Sequence, residues 1–294
     1  MRILVGFCAR SGAVLSAIAG AVQQSEQALA WKLMEQASAF TLWIADRNFG
    51  VWSVAAQALR YQQDVLVRLT KNRARKLCAG RAMQNGEDRP VGWRPSRQDK
   101  AAPGTERETI KGRLIYVRFS KAGKWIDLWL FTTLDAQDYP LELLVKWYGQ
   151  RWQAELNFRS IKTQMKMAEL DVATPEMAQK EFYAGLLAYS LVRAVMWEAG
   201  ERLQQGIKIL SFNQARYVML ARLMNWMRGL RVLAASADQW ARELIEEVAL
   251  QTLAKRRKPQ PSQMRRVRHR TQKFPPFRGS RDAAQAHHLA TKTL

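Results

Sequence analysis

The chain has 294 residues, 48% of them hydrophobic, and carries 47 Lys or Arg against 25 Asp or Glu, a net charge of +22. That length and apolar share build one large domain or two smaller ones and exclude a disordered protein. The charge calls for a polyanionic partner, nucleic acid before an anionic membrane. Two cysteines, Cys8 and Cys78, make no disulfide framework or zinc motif, and the three histidines (His269, His287, His288) all sit near the C-terminus. Zinc hydrolysis, Cys/His catalysis and a Ser-His-Asp triad are therefore poorly supported, which leaves carboxylates and a hard cation as the tools of any enzyme.

Residues 2–8 and 13–19 read as two strands joined around Arg10-Ser11-Gly12. Those three residues interrupt the apolar run, so a hairpin fits better than a secretory leader. Residues 25–37 read as a helix. The run 40–45 (FTLWIA) reads as a short buried strand, with Asp46 at its C-terminal end and Asn48 and Gly50 in the turn that follows. Open α/β sheets build their sites at such strand ends, although an Asp there is also a common turn or capping residue. Residues 51–61 read as a helix and 64–69 as another strand, an order that predicts a mixed α/β core.

From 71 to about 112 the chain is basic, rich in Gly and Pro, and without helical periodicity; two strands follow at 112–119 and 124–134. The stretch 71–133 reads as a β-rich basic insertion. Trp93, Trp125 and Trp129 lie in it and suit base stacking. For Trp125 and Trp129, packing of the small sheet accounts for them equally well.

Residues 139–167 read as one long helix, with Pro140 in its first turn and Asp138 as the cap. At about 100° per residue from Tyr148, Arg151, Glu155 and Lys162 fall near 300°, 340° and 320°. A separate polar side carries Lys146, Gln150, Gln153 and Asn157, whereas the Tyr/Arg/Glu/Lys stripe is walled by Trp147, Phe158, Ile161, Trp152 and Leu156. A solvated face laced with ion pairs is the ordinary reading of such charges. A carboxylate walled by apolar groups, however, needs a base or a metal beside it, and the stripe is taken as a site.

Beyond it, 176–203 reads as a buried helix and 211–228 and 237–254 as further helices. The apolar run 182–191 is too short to span a bilayer and is followed by Arg193, so the reading is a soluble cytoplasmic protein with no membrane partner. Residues 255–294 hold 12 Lys or Arg and one acid, Asp282, and read as a flexible basic arm for a phosphate backbone.

The spacing Tyr148-x2-Arg151-x3-Glu155-x6-Lys162 resembles the Y-R-E-K signature of the insertion-sequence-four (IS-four) family of DDE transposases. IADRNFG around Asp46 resembles the block of that family's second catalytic Asp, and FTTLDAQDYPLELLVKWYGQRW the approach to its Glu. SFNQARYVML (211–220) and the basic tail are similar too. The resemblance implies an α/β fold with an RNase H-like core, a β-rich insertion and C-terminal helices. On this reading 1–70 and 134–254 make the core and C-terminal helices, 71–133 the insertion and 255–294 the tail. It implies Asp46 and Glu155 as catalytic ligands of Mg²⁺ (or Mn²⁺), with Tyr148, Arg151 and Lys162 on DNA phosphates. The substrates implied are double-stranded DNA, the terminal inverted repeats and a target, engaged by a homodimer in cut-and-paste transfer through two metals. The family's first catalytic Asp lies on a first strand, and this sequence has no Asp before Asp46. The expectation is an N-terminally truncated copy whose activity is doubtful, or a catalytically inactive DNA-binding remnant or inhibitor of transposition. An RNA-binding protein would share the charge but gives no reason for the spacing.

Overall fold

The fold was analysed in a computed structural model, which describes residues 2–121, 123–167, 170, 172, 174–227, 237–253 and scattered positions beyond 278. The chain divides into two compact units, Met1–Leu253 and Ala254–Leu294. Nearly all of the basic tail lies outside the described residues.

The first unit opens with β1 (Arg2–Phe7) and β2 (Val14–Gly20), an antiparallel pair with an irregularity at Gly6/Phe7. Gly12 closes its turn at φ +71°, a conformation that costs glycine nothing. A Cβ at Gly12 would also strike the Arg193 guanidinium, so the turn lies flat on that side chain. Helix α1 (Glu26–Gln36) starts at Ser25, whose hydroxyl accepts from the Ala28 N–H at 3.1 Å, and buries Leu29, Ala30, Leu33 and Met34.

A five-stranded mixed sheet follows, in the order β3-β4-β7-β6-β5. β3 (Leu42–Ala45) and β4 (Asp64–Arg68) are parallel, joined through α2 (Trp52–Arg60), with Leu42 opposite Asp64 and Ala45 opposite Val67. After the short α3 (Lys71–Leu77) come β5 (Glu87–Trp93), β6 (Ile110–Lys121) and β7 (Lys124–Thr132), all antiparallel, with β7 paired to β4. The three later strands thus extend the sheet that β3 and β4 begin. Helix α3 and strand β5 depart from the aperiodic reading of 71–112. α3 is a capped helix of about two turns, with the Thr70 hydroxyl accepting from Arg73 N–H at 3.4 Å. β5 carries Pro90 on the sheet's outer edge, where a missing ladder donor is tolerated.

Strand alternation gives this sheet two apolar faces. Val65, Val67, Leu114 and Phe131 pack with Trp52, Val54 and Ala55 of α2 in one cluster. Leu66, Ile115, Leu128 and Leu130 pack with Leu144 and Tyr148 in another, beneath α4 (Leu141–Gln150). A third cluster joins the β1–β2 hairpin to α6 (Pro175–Arg202), α7 (Phe212–Met227) and α8 (Ala237–Ala249). The hairpin is pinned there by Tyr189 O–H donating to Gly12 C=O at 3.0 Å and Arg193 Nε donating to Ser11 C=O at 2.9 Å. Burial pushes the Tyr189 phenol up to about 12. Among the described residues no helix is long and apolar enough to cross a membrane.

The segment entering α4 is tied to the sheet by one buried side chain. Arg113 on β6 pairs with Asp88 on β5, and its guanidinium also donates to the carbonyls of Leu134, Asp135 and Tyr139, the last at 2.8 Å. Arg113→Met leaves a part-buried carboxylate and three carbonyls without their donor. It is expected to cost about 3 kcal/mol of unfolding free energy, read as a lower denaturant midpoint at unchanged slope.

Candidate active site

The expected long helix is two helices and a widened turn. α4 ends at Gln150, Arg151 forms a tight turn, α5 (Trp152–Arg159) follows, and a π-helical turn spans Ser160–Gln164. The break is a local tightening. Arg151 keeps helical angles (φ −49°, ψ −33°), and its N–H reaches Tyr148 C=O at 3.0 Å, three residues back. Gly149, a weak helix former, lies two residues before it, with open space where a Cβ would stand. The N-cap is Pro140, without a side-chain cap bond, so Asp138 does not cap the helix as expected. Pro140 needs no capped N–H, and Asp135 organises the preceding turn instead, accepting from Gln137 and Asp138 N–H at 2.9 and 2.8 Å.

Because Arg151 stays helical, Glu155 remains one turn below it. Arg151 Nη2 donates to Glu155 Oε1 at 2.9 Å. Tyr148, 9% exposed, sits one turn above, over Leu66 and Leu130. Burial raises its phenol pKa, while Arg151 and Arg68 pull the other way and Asp46 adds to the rise. For Arg151, burial alone would lower the pKa; the hydrogen bond to Glu155 and the charges of Tyr148, Glu155 and Asp46 outweigh it, and the pKa is raised.

Asp46 arrives from the sheet. It follows the last residue of β3, and its Oδ1 accepts from Asn48 N–H at 2.8 Å, which closes the turn. Gly50 lets that turn lie against the end of β4: a Cβ there would stand 2.2 Å from Arg68 C=O. Alternation puts Leu42, Ile44 and Asp46 on the face covered by α4, the face that holds Tyr148.

The structure therefore relates Arg151 to three of the other four expected residues: it bonds Glu155 and feels the charges of Tyr148 and Asp46. Lys162 is exposed in the π turn, and among the described residues no hydrogen bond or ion pair joins it to the other four. The π turn is closed by Met165 N–H to Ser160 C=O at 3.0 Å, while the Ser160 hydroxyl donates back to Leu156 C=O. Such widenings of a helix concentrate at functional sites.

Arg68 was not among the expected residues. It ends β4 beside Asp46 and shares its face. The signal was present in DVLVR, where Arg68 falls two residues after the apolar Leu66. Among the described residues no three His, Cys, Asp or Glu cluster together, so the candidate metal ligands here are two carboxylates. That donor set suits Mg²⁺, which takes one or two carboxylates and completes its shell with water and phosphate. It does not suit zinc.

The transposase DDE domain family matches residues 1–191 of the sequence. The chain belongs to the DDE transposase family. It is 30% identical over 215 residues to the transposase InsG for insertion sequence element IS4 of Escherichia coli K12, a match covering 70% of this chain and 46% of that protein. Over 82 residues it is 32% identical to the putative transposase InsL for element IS186A of the same strain and to the transposase for element IS421 of Escherichia coli. Each of those matches covers 28% of this chain and 22% of the relative. The chain thus spans less than half the length of these relatives.

The buried phenol gives a spectroscopic handle on this transposase-family site. Tyr148→Phe is expected to remove one ionisation from those above the ordinary tyrosine value of about 10 in an ultraviolet alkaline titration. Stability from the neutral phenol is present below that value and is lost as pH rises through the raised folded pKa. Loss of a tyrosine titrating at or below the ordinary value would contradict the placement.

Proposed function

We propose that this chain is the catalytic part of a DNA transposase that cuts and joins DNA ends by divalent-metal-assisted phosphoryl transfer. In this reading 1–70 and 134–254 form an RNase H-like core with its C-terminal helices, 71–133 is a β-rich insertion, and 255–294 is a basic arm on the DNA backbone. The partners are the element's terminal repeats and a target duplex, held by a homodimer because joining needs two ends in one complex. The observation that supports the reading is that Arg151 bonds Glu155 on its helix and also feels the charge of Asp46 from a strand end.

Asp46 and Glu155 would hold Mg²⁺ (or Mn²⁺), which supplies activation of the attacking oxygen and charge relief at the leaving one. The protein's own groups do the rest. Arg151 neutralises Glu155 until a cation arrives, and is then free to donate its fork to a phosphate oxygen. Tyr148, neutral at pH 7 as an ordinary phenol is and held further from ionisation by burial, donates a hydrogen bond to the phosphate. Lys162, exposed one π turn further on, contacts the backbone of the bound duplex.

Two outcomes test this. In Mn²⁺ titrations followed by electron paramagnetic resonance, Asp46→Asn and Glu155→Gln are each expected to weaken binding. Arg151→Met is expected to tighten it about two- to fivefold, the worth of a partly exposed ion pair released from competition. Binding indifferent to all three changes would sink the site. With only two carboxylates, the chain by itself is expected to nick supercoiled DNA weakly in Mg²⁺, and Glu155→Gln to remove what activity there is. Robust nicking that survives Glu155→Gln would place the chemistry elsewhere.

A further inference from the structure

We infer that Glu26 is a positioning residue for Asp46, acting through Asn48: the first turn of α1 holds the turn that aims the Asp46 carboxylate. The inference rests on the transposase reading, in which Asp46 holds a cation, and adds a residue from outside both the strand end and the Tyr/Arg/Glu/Lys stripe.

Three observations carry it. The first is that the Asp46 carboxylate hangs on one donor. Its Oδ1 accepts from Asn48 N–H at 2.8 Å, and among the described residues no hydrogen bond or ion pair takes its Oδ2. Where the Asn48 backbone stands, that carboxylate follows. The second is that Asn48 is held from outside its own turn. Its C=O accepts from Gln27 Nε2 at 2.9 Å, and its Nδ2 donates to Glu26 Oε2 at 2.5 Å. Two consecutive residues of α1 thus grip its backbone and its side chain. The third is that the grip is anchored. Glu26 is the first residue of α1, directly after the capping Ser25, and Leu29, Ala30, Leu33 and Met34 bury the turns that follow.

Carboxylates that ligate a metal are oriented by the groups that hydrogen-bond them, and loss of such a group weakens the metal site without touching a ligand. Asn48 is that group for Asp46, and Glu26 stands one bond further out. Asn48 is exposed, so without Glu26 its amide would turn to water, which satisfies the donor but does not fix its place. A carboxylate acceptor makes the stronger, shorter kind of hydrogen bond, and a negative side chain in the first turn of a helix is favoured by the helix dipole. On the other side of the turn, Arg73 Nη1 donates to Arg47 C=O at 3.3 Å. The residues between Asp46 and Gly50 are therefore braced from α1 and from α3.

The test is Mn²⁺ titration of the full chain followed by electron paramagnetic resonance, with thermal melts alongside. Glu26→Ala is expected to weaken Mn²⁺ binding about threefold, the worth of one exposed charged contact, at an unchanged melt. Glu26→Gln keeps an oxygen acceptor for Asn48 Nδ2 and is expected to restore most of that loss. In an Asn48→Ala background, which lacks the side-chain amide, Glu26→Ala is expected to add nothing, because the two residues act as one unit. Glu35→Ala removes the same charge from the exposed far end of α1 and serves as the control, with binding unchanged. Parent-like Mn²⁺ binding in Glu26→Ala would overturn the inference. Glu26→Gln as weak as Glu26→Ala would overturn it too, since charge rather than position would then be at work, and so would additive losses in the Asn48→Ala background. Should Glu26→Ala fail to fold, Asn48→Ala decides: the same loss supports the inference and parent-like binding overturns it. Mn²⁺ binding that ignores Asp46→Asn brings down the transposase reading and this inference with it. Binding that responds to Asp46→Asn but not to Glu26→Ala brings down this inference alone.

Discussion

The parallel register of β3 on β4 is the constraint on which the site depends. Side chains alternate along a strand, so a slip by one residue would turn Asp46 from the α4 face to the α2 face and leave Tyr148 and Arg151 over an apolar patch. What fixes the register is the pair of different faces. Val65 and Val67 must meet α2, and Leu66 must meet Leu144 and Tyr148. Asp46 and Arg68 are simply the next steps of strands whose apolar residues have no freedom. Gly50 then lets the turn after Asp46 press on the β4 carbonyl at Arg68, so the strand ends cannot splay.

The helix side of the site is fixed by a polar device. Arg113 bridges β5, β6 and the carbonyls of the segment leading into α4. A buried pair of this kind is weak evidence for stability but strong evidence for position, because each acceptor fixes a different stretch of chain on one planar group. From there Leu144 and Tyr148 lock α4 by apolar contact, and the 2.9 Å bond from Arg151 to Glu155 orients the next turn. Each group of the site is thus set by a core residue next to it in sequence: Asp46 by Ile44, Tyr148 by Leu144, Arg68 by Leu66.

That neighbourly logic explains what the sequence showed. The hairpin, β3, α2, β4, β6, β7 and the later helices follow apolar periodicity, and all lie within a few residues of where the pattern puts them. The stripe on 139–167 was visible because its residues are local to one helix and match a family spacing. What failed to show depended on partners elsewhere. Strand β5 contains Glu87, Asp88, Arg89 and Pro90 and looks like loop; it is a strand because Asp88 meets Arg113 and Trp93 meets Phe131, both reached only through the sheet. Helix α3 is basic and short, and its existence rests on Thr70 and on Ala74 buried against the first core. The break at Arg151 shifts few angles, so periodicity carried straight across it. Arg68 escaped because its meaning comes from a strand pairing, not from its neighbours in sequence.

Charge shows how a chain of net +22 keeps a site that needs carboxylates. Several of its acids are committed to arginines: Glu87 to Arg89, Asp88 to Arg113, Glu243 and Glu247 to Arg222. Arg89 and Arg222 hold Glu87 and Glu243 in the ionised form, although the backbone N–H of Gln84 contributes first at Glu87. These pairs cancel locally, so the field outside is that of the unpaired cations, and it favours approach of a polyanion. Glu155 is also paired, but its partner differs in kind. Arg113 and Arg222 have acceptors on several sides, while Arg151 meets Glu155 on an exposed turn, with Tyr148 above and Asp46 beyond. On the proposed reading this pair opens at little cost, because both groups exchange each other for other partners: a cation for the carboxylate, a phosphate for the guanidinium. On the proposed reading, a partly exposed ion pair worth little in isolation suits a site that opens when metal and DNA arrive together.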